Sequence, residues 1–512
     1  MAQTEKQRPM VKNETNMAPS TEALAIITFF VSSSLFTREQ KYFSLIVSMY
    51  ARRENANKEV LDILSPFIVN FEEIFSKLDS FLGSRSWKET LSSEYYEIVR
   101  YCYMEMKNRS LPSNREDAVH IPQDLVELCI KSVDCKPGSK VFLPYAGKCD
   151  FAYYLDDCTC EGFEYSQKIW AFQQIILEAF NNNTSISHSS SLSPSYDGTS
   201  KQYDYVFTMP PYLPASATGR VINSFITMLD YVLKDGGAMC LIVPAAVANS
   251  RNWLPFRQFF IDRCNTYSLA SIALPKHIIS QLSVDICLFV IQKNDSTNGN
   301  VLMVNANHPD MYIVDKASHH ITLKVESILE SIEKADSRIS RLIPFSQLGE
   351  DLLFTAERYF ADEGIREVKE GEKRVKLREL IEMIPARPRY ENLSKGRIIG
   401  MRELSDNYLT SELDLNSVPE DDITSNYVST TANSCLAGFI GGKFKVGYFA
   451  EKDCNTTVFL RREIIQFRMR TDSIATRDYL FRELMSEYVQ RQADRMSKGA
   501  TITRISKEDF LS

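Results

Sequence analysis

Three short stretches carry residue types whose spacing could do chemistry together. PYAGKCDF (Pro144–Phe151) follows an apolar run and leads towards an amphipathic segment. It reads as a strand-to-helix turn in which Gly147 lets the backbone come close to a ligand and the first amides of the next helix face an anion. EGFEYSQKIW (Glu161–Trp170) places Glu164 17 residues past Gly147, with Glu161 as the second choice. In dinucleotide-binding folds an acid about 20 residues beyond the glycine turn holds a ribose hydroxyl. YDYVFTMPPYLP (203–214) drives a strand-like run into Met209-Pro210-Pro211-Tyr212. That end offers a proline carbonyl as acceptor, a tyrosine ring that stacks on planar bases, and a thioether that accepts hydrogen bonds only weakly. Each stretch also has a plain structural use: an ordinary turn, a solvated helix-start carboxylate and a strand stop with a packed tyrosine.

The elements that must position these residues are legible in the apolar pattern. KVFLPY, DYVFTM, GAMCLIVP, SLASIALP and DICLFVIQKN read as strands, and QKIWAFQQIILEAF and VINSFITMLDYVL as helices. Strands apolar on both faces and alternating with helices predict an α/β fold with a mostly parallel sheet covered by helices. NNNTSISHSSSLSPSYDGTS (Asn181–Ser200) is low in complexity and is expected as a long surface loop. Residues 1–20 read as a disordered tail, 21–115 as a helical domain, 116–310 as the α/β domain, 311–370 as a connector and 371–512 as a further domain of short strands and turns. A long helix with Leu480, Leu484 and Tyr488 on one face is expected near its end.

Composition bounds the setting. A net charge of −7 over 512 residues argues against a blanket nucleic-acid coat and leaves room for a local basic groove. Residues 352–512 balance 26 Lys/Arg against 26 Asp/Glu, so the excess acid lies before them. Eleven cysteines without paired spacing read as reduced thiols in a cytoplasmic protein and not as a metal site. The early apolar run ALAIITFFV is too short to span a bilayer.

HIPQDLVELCIKSVDCKPGSKVFLPYAGKCDF (His120–Phe151), together with Glu164 and the MPPY stretch, resembles the N6-adenine DNA methyltransferases of the type I modification-subunit kind. The likeness covers about 120–294 and extends loosely to the N-terminal helices. It implies a Rossmann-like S-adenosylmethionine-dependent methyltransferase domain. Pro122, Pro144, Gly147, Phe151 and Glu164 then stand at cofactor-binding positions, and Met209, Pro210, Pro211 and Tyr212 at catalytic ones. In that family an Asn or Asp oxygen and the next proline carbonyl accept the two hydrogens of the adenine amine, while the tyrosine stacks on the flipped base. Here Leu143 replaces the loop acid, Cys149 the second glycine and Met209 the amide. The family's acid after strand three has no counterpart among the Ser, Leu, Pro and Tyr of 189–196.

The C-terminal third resembles one target-recognition domain of a type I specificity subunit, through LRELIEMIPARPRY, GFIGGKFKVGYF and SKGATITRISKEDFLS. That likeness implies an α+β domain reading one half-site of duplex DNA, with Arg387, Arg389, Lys395, Arg397, Lys443 and Lys445 near the phosphates. A specificity subunit, a nuclease subunit or a second copy of the chain are the protein partners it implies. The four departures keep a second reading open: a DNA-binding module on a methyltransferase scaffold that no longer catalyses.

Overall fold

The computed structural model describes residues 19–32, 38–67, 86–108, 119–155, 157–180, 183–189, 203–210, 218–280, 282, 284–294, 299–360, 373–385, 395–423, 427–450, 458–496, 505 and 507–511. They form two units, Met1–Phe354 and Thr355–Ser512.

The first unit is built on β1 (Lys140–Leu143), β2 (Thr159–Glu164), β3 (Thr184–His188), β4 (Tyr203–Thr208), β5 (Leu233–Pro244), β6 (Tyr267–Ala273), β7 (Ile286–Lys293) and β8 (Asn300–Asn305). A short hairpin follows, β9 (Tyr312–Val314) and β10 (Ile321–Leu323), and then β11 (Ser340–Pro344). Nine of these strands make one sheet in the order β11-β8-β6-β7-β5-β4-β1-β2-β3. β1, β2, β3, β4 and β5 run parallel, whereas β7 is antiparallel to both of its neighbours, β5 and β6. The stretch expected as a connector supplies β9, β10 and the edge strand β11.

Leu241, Ile242, Leu288 and Phe289 at the middle of the sheet are essentially inaccessible, as strands covered on both faces require. The helices ahead of β1 share the core on one side of the sheet. Phe43 meets Phe172 at 5.0 Å, and Tyr103 meets Phe180 at 5.7 Å, both against the helix Gln167–Phe180.

Two departures from the sequence reading fall in this unit. Residues 184–188, expected within a surface loop, form β3, the edge strand parallel to β2. Only Ile186 of that strand is buried, so apolar alternation is almost silent there. VINSFITMLDYVL is not one regular helix: Thr218–Thr227 passes into a π-helical turn, Met228–Val232. The buried Lys293 ammonium collects the carbonyls of Leu229, Asp230 and Leu233 at 2.8, 3.0 and 3.0 Å at the end of that turn.

The second unit holds two four-stranded sheets. β12 (Ile381–Met383), β19 (Ile464–Met469), β16 (Ser434–Ile440) and β17 (Lys443–Phe449) make one, in that order. β14 (Glu420–Asp422), β13 (Lys395–Ile399), β18 (Val458–Arg461) and β15 (Tyr427–Ser429) make the other. Gly441 and Gly442, at φ 58° and 77°, form the two-residue turn of the β16–β17 hairpin, where both central residues need positive φ. The long helix expected near the end is two helices, Arg477–Leu484 and Glu487–Met496. Ser486 breaks it by accepting the Val489 amide at 3.3 Å, and Tyr488 is exposed whereas Leu480 and Leu484 are buried.

Candidate active site

Chain order runs outward from β1 in both directions, to β2 and β3 on one side and to β4 and β5 on the other. In open α/β sheets the crevice for a ligand opens at such a reversal, beyond the carboxyl ends of the strands. The residues at those ends here are Pro144–Gly147 after β1, Glu164 at the end of β2, and Met209 and Pro210 after β4.

The turn after β1 is held from several sides. The Gly147 amide donates to Glu164 Oε2 at 3.0 Å, and the Ser166 amide donates to Glu164 Oε1 at 2.8 Å. The Ala146 amide donates to the Phe163 carbonyl at 3.0 Å. Gln173 Nε2 donates to the Gly147 carbonyl, and the Tyr103 hydroxyl donates to the Lys148 carbonyl. Gly147 has φ 52°, and Cys149, where the resembling family has its second glycine, has φ 63°. Cys149 thus carries a side chain in the left-handed conformation that glycine adopts freely. Burial pushes its thiol well above the ordinary range, so it stays neutral.

Asp150, first residue of the helix Asp150–Tyr154, is 3% exposed and points away from solvent. Its Oδ1 meets His120 Nδ1 at 3.1 Å and its Oδ2 accepts the Ile121 amide at 2.9 Å. The loop and the stretch that opens the helix Gln123–Ser132 at Pro122 are therefore fastened together. Leu143 and Phe151 pack in one apolar cluster, where Phe151 stacks on Phe207 of β4 at 5.1 Å.

Glu164 is the group best suited to a diol. Burial raises its carboxyl above the usual carboxylate range, against the lowering effect of the Ser166 and Gly147 amides. Each carboxylate oxygen takes one backbone amide and keeps a further lone-pair site, enough for two vicinal hydroxyls. The sequence reading missed Gln173 and His120. Gln173 leaves a signal, a polar residue on the buried stripe of an apolar helix, 1% exposed. His120 leaves none beyond its place beside Ile121.

After β4, Met209 is half-buried on the face shared by Tyr205 and Phe207, and Pro210 is buried. Thr208, the preceding residue, is fully buried, and its Oγ1 has no hydrogen-bond partner among the described residues. Strand alternation turns it away from the Met209 face. Pro211 and Tyr212 lie outside the described residues.

The described basic candidates of the second unit are divided between its two sheets. Lys395 and Arg397 lie on β13 and Lys443 and Lys445 on β17, in different sheets. Arg397 donates to the Leu415 carbonyl and faces Glu420 at 4.0 Å. Arg387 and Arg389 lie outside the described residues. No group of three or more metal-ligating side chains is found among the described residues, and none of the described helices is long and apolar enough to cross a membrane.

Residues 103–338 match the family model of the N-6 DNA methylases. No curated protein matches the chain. Among solved structures, the chain is similar to a type I restriction-modification methyltransferase subunit from Streptococcus thermophilus, at 14% identity over 64% of this chain and 81% of that one, with a TM-score of 0.46. It is also similar to the type IIG restriction endonuclease BpuSI, at 12% identity over 96% of this chain and 70% of that one, with a TM-score of 0.46. A third similar structure, from Listeria monocytogenes, is assigned as a class I S-adenosylmethionine-dependent methyltransferase; it shows 12% identity over 56% of this chain and 93% of that one, with a TM-score of 0.40.

Proposed function

We propose that this chain is a DNA adenine-N6 methyltransferase of the restriction-modification kind, which binds duplex DNA, takes one adenine out of the stack and methylates it. The observation that carries the reading is the Gly147 turn tied to Glu164 at the sheet's switch point, beside Met209 and Pro210, inside the segment that matches the N-6 DNA methylases. S-adenosylmethionine, when bound, supplies a methyl group on a sulfonium, an electrophile that needs only a nucleophile in line.

Glu164 would accept the ribose hydroxyls, with Gly147 passing under the cofactor and Pro122, Pro144 and Phe151 shaping its pocket. The Pro210 carbonyl would accept one hydrogen of the adenine amine and turn its lone pair towards the methyl group. Tyr212 would stack on the extruded base. The second unit would read one half-site, with Arg387, Arg389, Lys395, Arg397, Lys443 and Lys445 near the phosphates. Restriction would then require a nuclease partner, and a complete site a specificity subunit or a second copy of the chain.

Met209 favours a second reading. It stands where an amide or carboxylate oxygen would take the other amine hydrogen, and Thr208 does not replace that oxygen. A chain that binds DNA without turnover would be a recognition module on a methyltransferase scaffold. Calorimetric titration of S-adenosylmethionine, and separately of its demethylated product, tests the cofactor site without needing the DNA site or a partner. Micromolar binding supports the methyltransferase reading. No heat from either ligand up to millimolar concentration removes it and leaves a DNA-binding protein.

A further inference from the structure

Cys149 carries its side chain at φ 63° and ψ 25°, and the peptide planes on either side hold it in that left-handed conformation. The plane before it joins Lys148 to Cys149. Its carbonyl accepts the Tyr103 hydroxyl, and its amide donates to the Ala146 carbonyl at 2.9 Å. The plane after it is fixed by the Tyr153 amide, which donates to the Cys149 carbonyl at 3.1 Å. A residue other than glycine stays left-handed only where its surroundings over-determine the backbone.

Two of these three restraints are backbone bonds, open to any residue at 149, glycine included. The third comes from a distant element. Tyr103 lies on the helix Tyr95–Asn108, 45 residues before Lys148. It is 1% exposed, and its ring meets His120 at 5.6 Å and Phe180 at 5.7 Å, both edge to face. The packed ring gives the hydroxyl one direction, and burial pushes its pKa well above the ordinary tyrosine range, so it remains a donor.

We infer that Tyr103 is a positioning residue for the cofactor turn, supplying by a hydrogen bond what a glycine at 149 would supply by conformational freedom. The hydroxyl fixes the Lys148 carbonyl and with it the torsion that enters Cys149. Without it that plane can rotate, Cys149 relaxes towards negative φ, and the turn carrying Gly147 moves with it. A glycine at 149 has no Cβ to clash and keeps the turn unaided. The inference rests on the cofactor-binding role proposed above and gives a helix ahead of β1 a part in it.

The test is a double-mutant cycle on the full chain, with calorimetric titration of S-adenosylmethionine and of its demethylated product. Tyr103→Phe keeps the ring and removes only the hydroxyl. In the parent chain it should weaken binding about fivefold to tenfold. In a Cys149→Gly background the same change should cost less than about twofold. A tyrosine that merely packs would weaken binding equally in both backgrounds, and that result overturns the inference while the proposed function stands. Tyr103→Phe binding as tightly as the parent overturns it too. Should Tyr103→Phe fail to fold, Cys149→Gly should restore folding, and failure in both backgrounds overturns the inference. A parent chain that binds neither ligand overturns the cofactor role and this inference with it.

Discussion

Glu164 holds the Gly147 amide at 3.0 Å, and Gln173 holds the carbonyl of the same glycine, so both polar groups of the turn residue are fixed by side chains. The turn is therefore set before any ligand arrives. A single carboxylate links the end of β2 to the loop after β1 and keeps lone pairs for a diol.

Glu164→Gln should weaken S-adenosylmethionine binding about tenfold or more, since a hydrogen bond to a charged group contributes about 1.5–3 kcal/mol. Two opposite pH trends follow. Burial raises the Glu164 carboxyl above its ordinary 4.5, so the folded chain holds that proton more readily than the unfolded chain. The group's contribution to stability is full below pH 4.5 and is lost as pH rises through the raised folded value. Cofactor affinity should run the other way, falling as pH drops through that value, because the protonated group accepts fewer hydroxyls. Calorimetry and urea unfolding across the acid range should show both trends, and Glu164→Gln should remove both. A variant that keeps either trend would assign it to another group.

Gly162→Ala should damage the same site from the strand beneath it. A Cβ on Gly162 would stand 2.3 Å from the Leu143 carbonyl oxygen, a backbone atom that cannot rotate aside. Gly162 is paired with Leu143 across β1 and β2, so the strain falls on the strand end that launches the Gly147 turn. The expected cost is about 2–3 kcal/mol of stability, with weaker cofactor binding. Unfolding curves that match the parent would show that β1 and β2 slide apart freely at this point.

How far the sequence carried these conclusions differs from residue to residue. The strands β1, β4, β5, β6 and β7 announced themselves because burial on both faces leaves continuous apolar runs. β3 did not, because an edge strand buries one face only, and Thr184, Ser185, Ser187 and His188 present no pattern around Ile186. Its one signal was topological: a helix after β2 in a parallel sheet should lead to another strand. Cys149 is the reverse case. Its departure from glycine was visible in the sequence, yet its left-handed φ, which makes the departure strained, is a property of the folded turn alone. Glu164 was identified by spacing, whereas its second task, bracing Gly147, depends on contacts that spacing does not encode.

Lys293 offers a stability test far from the candidate site. Lys293 is 4% exposed, and its ammonium satisfies three carbonyls at the end of the π-helical turn, where regular helical partners are missing. Lys293→Met keeps much of the packing and leaves those acceptors without their donor. The expected loss is about 2–4 kcal/mol, read from chemical denaturation. A loss below about 0.5 kcal/mol would mean that water reaches the carbonyls in the variant.

Met209→Asn decides between the two readings of the chain. Met209 is half-buried at the strand end with Pro210 beside it, so an amide there would place an oxygen next to the proline carbonyl. The pair would then accept both hydrogens of an adenine amine. Removing one oriented acceptor commonly costs 10²–10³ in rate, so restoring one should raise adenine methylation by about a hundredfold or more. The measurement is transfer of a labelled methyl group from S-adenosylmethionine to genomic DNA, with Met209→Leu as the control for packing. A large gain in Met209→Asn alone places the lesion at this residue and the rest of the machinery in order. If the parent chain already methylates DNA and the asparagine adds nothing, Pro210 and the stacked base suffice. If cofactor binds and neither protein transfers methyl groups, Met209 alone does not account for the silence.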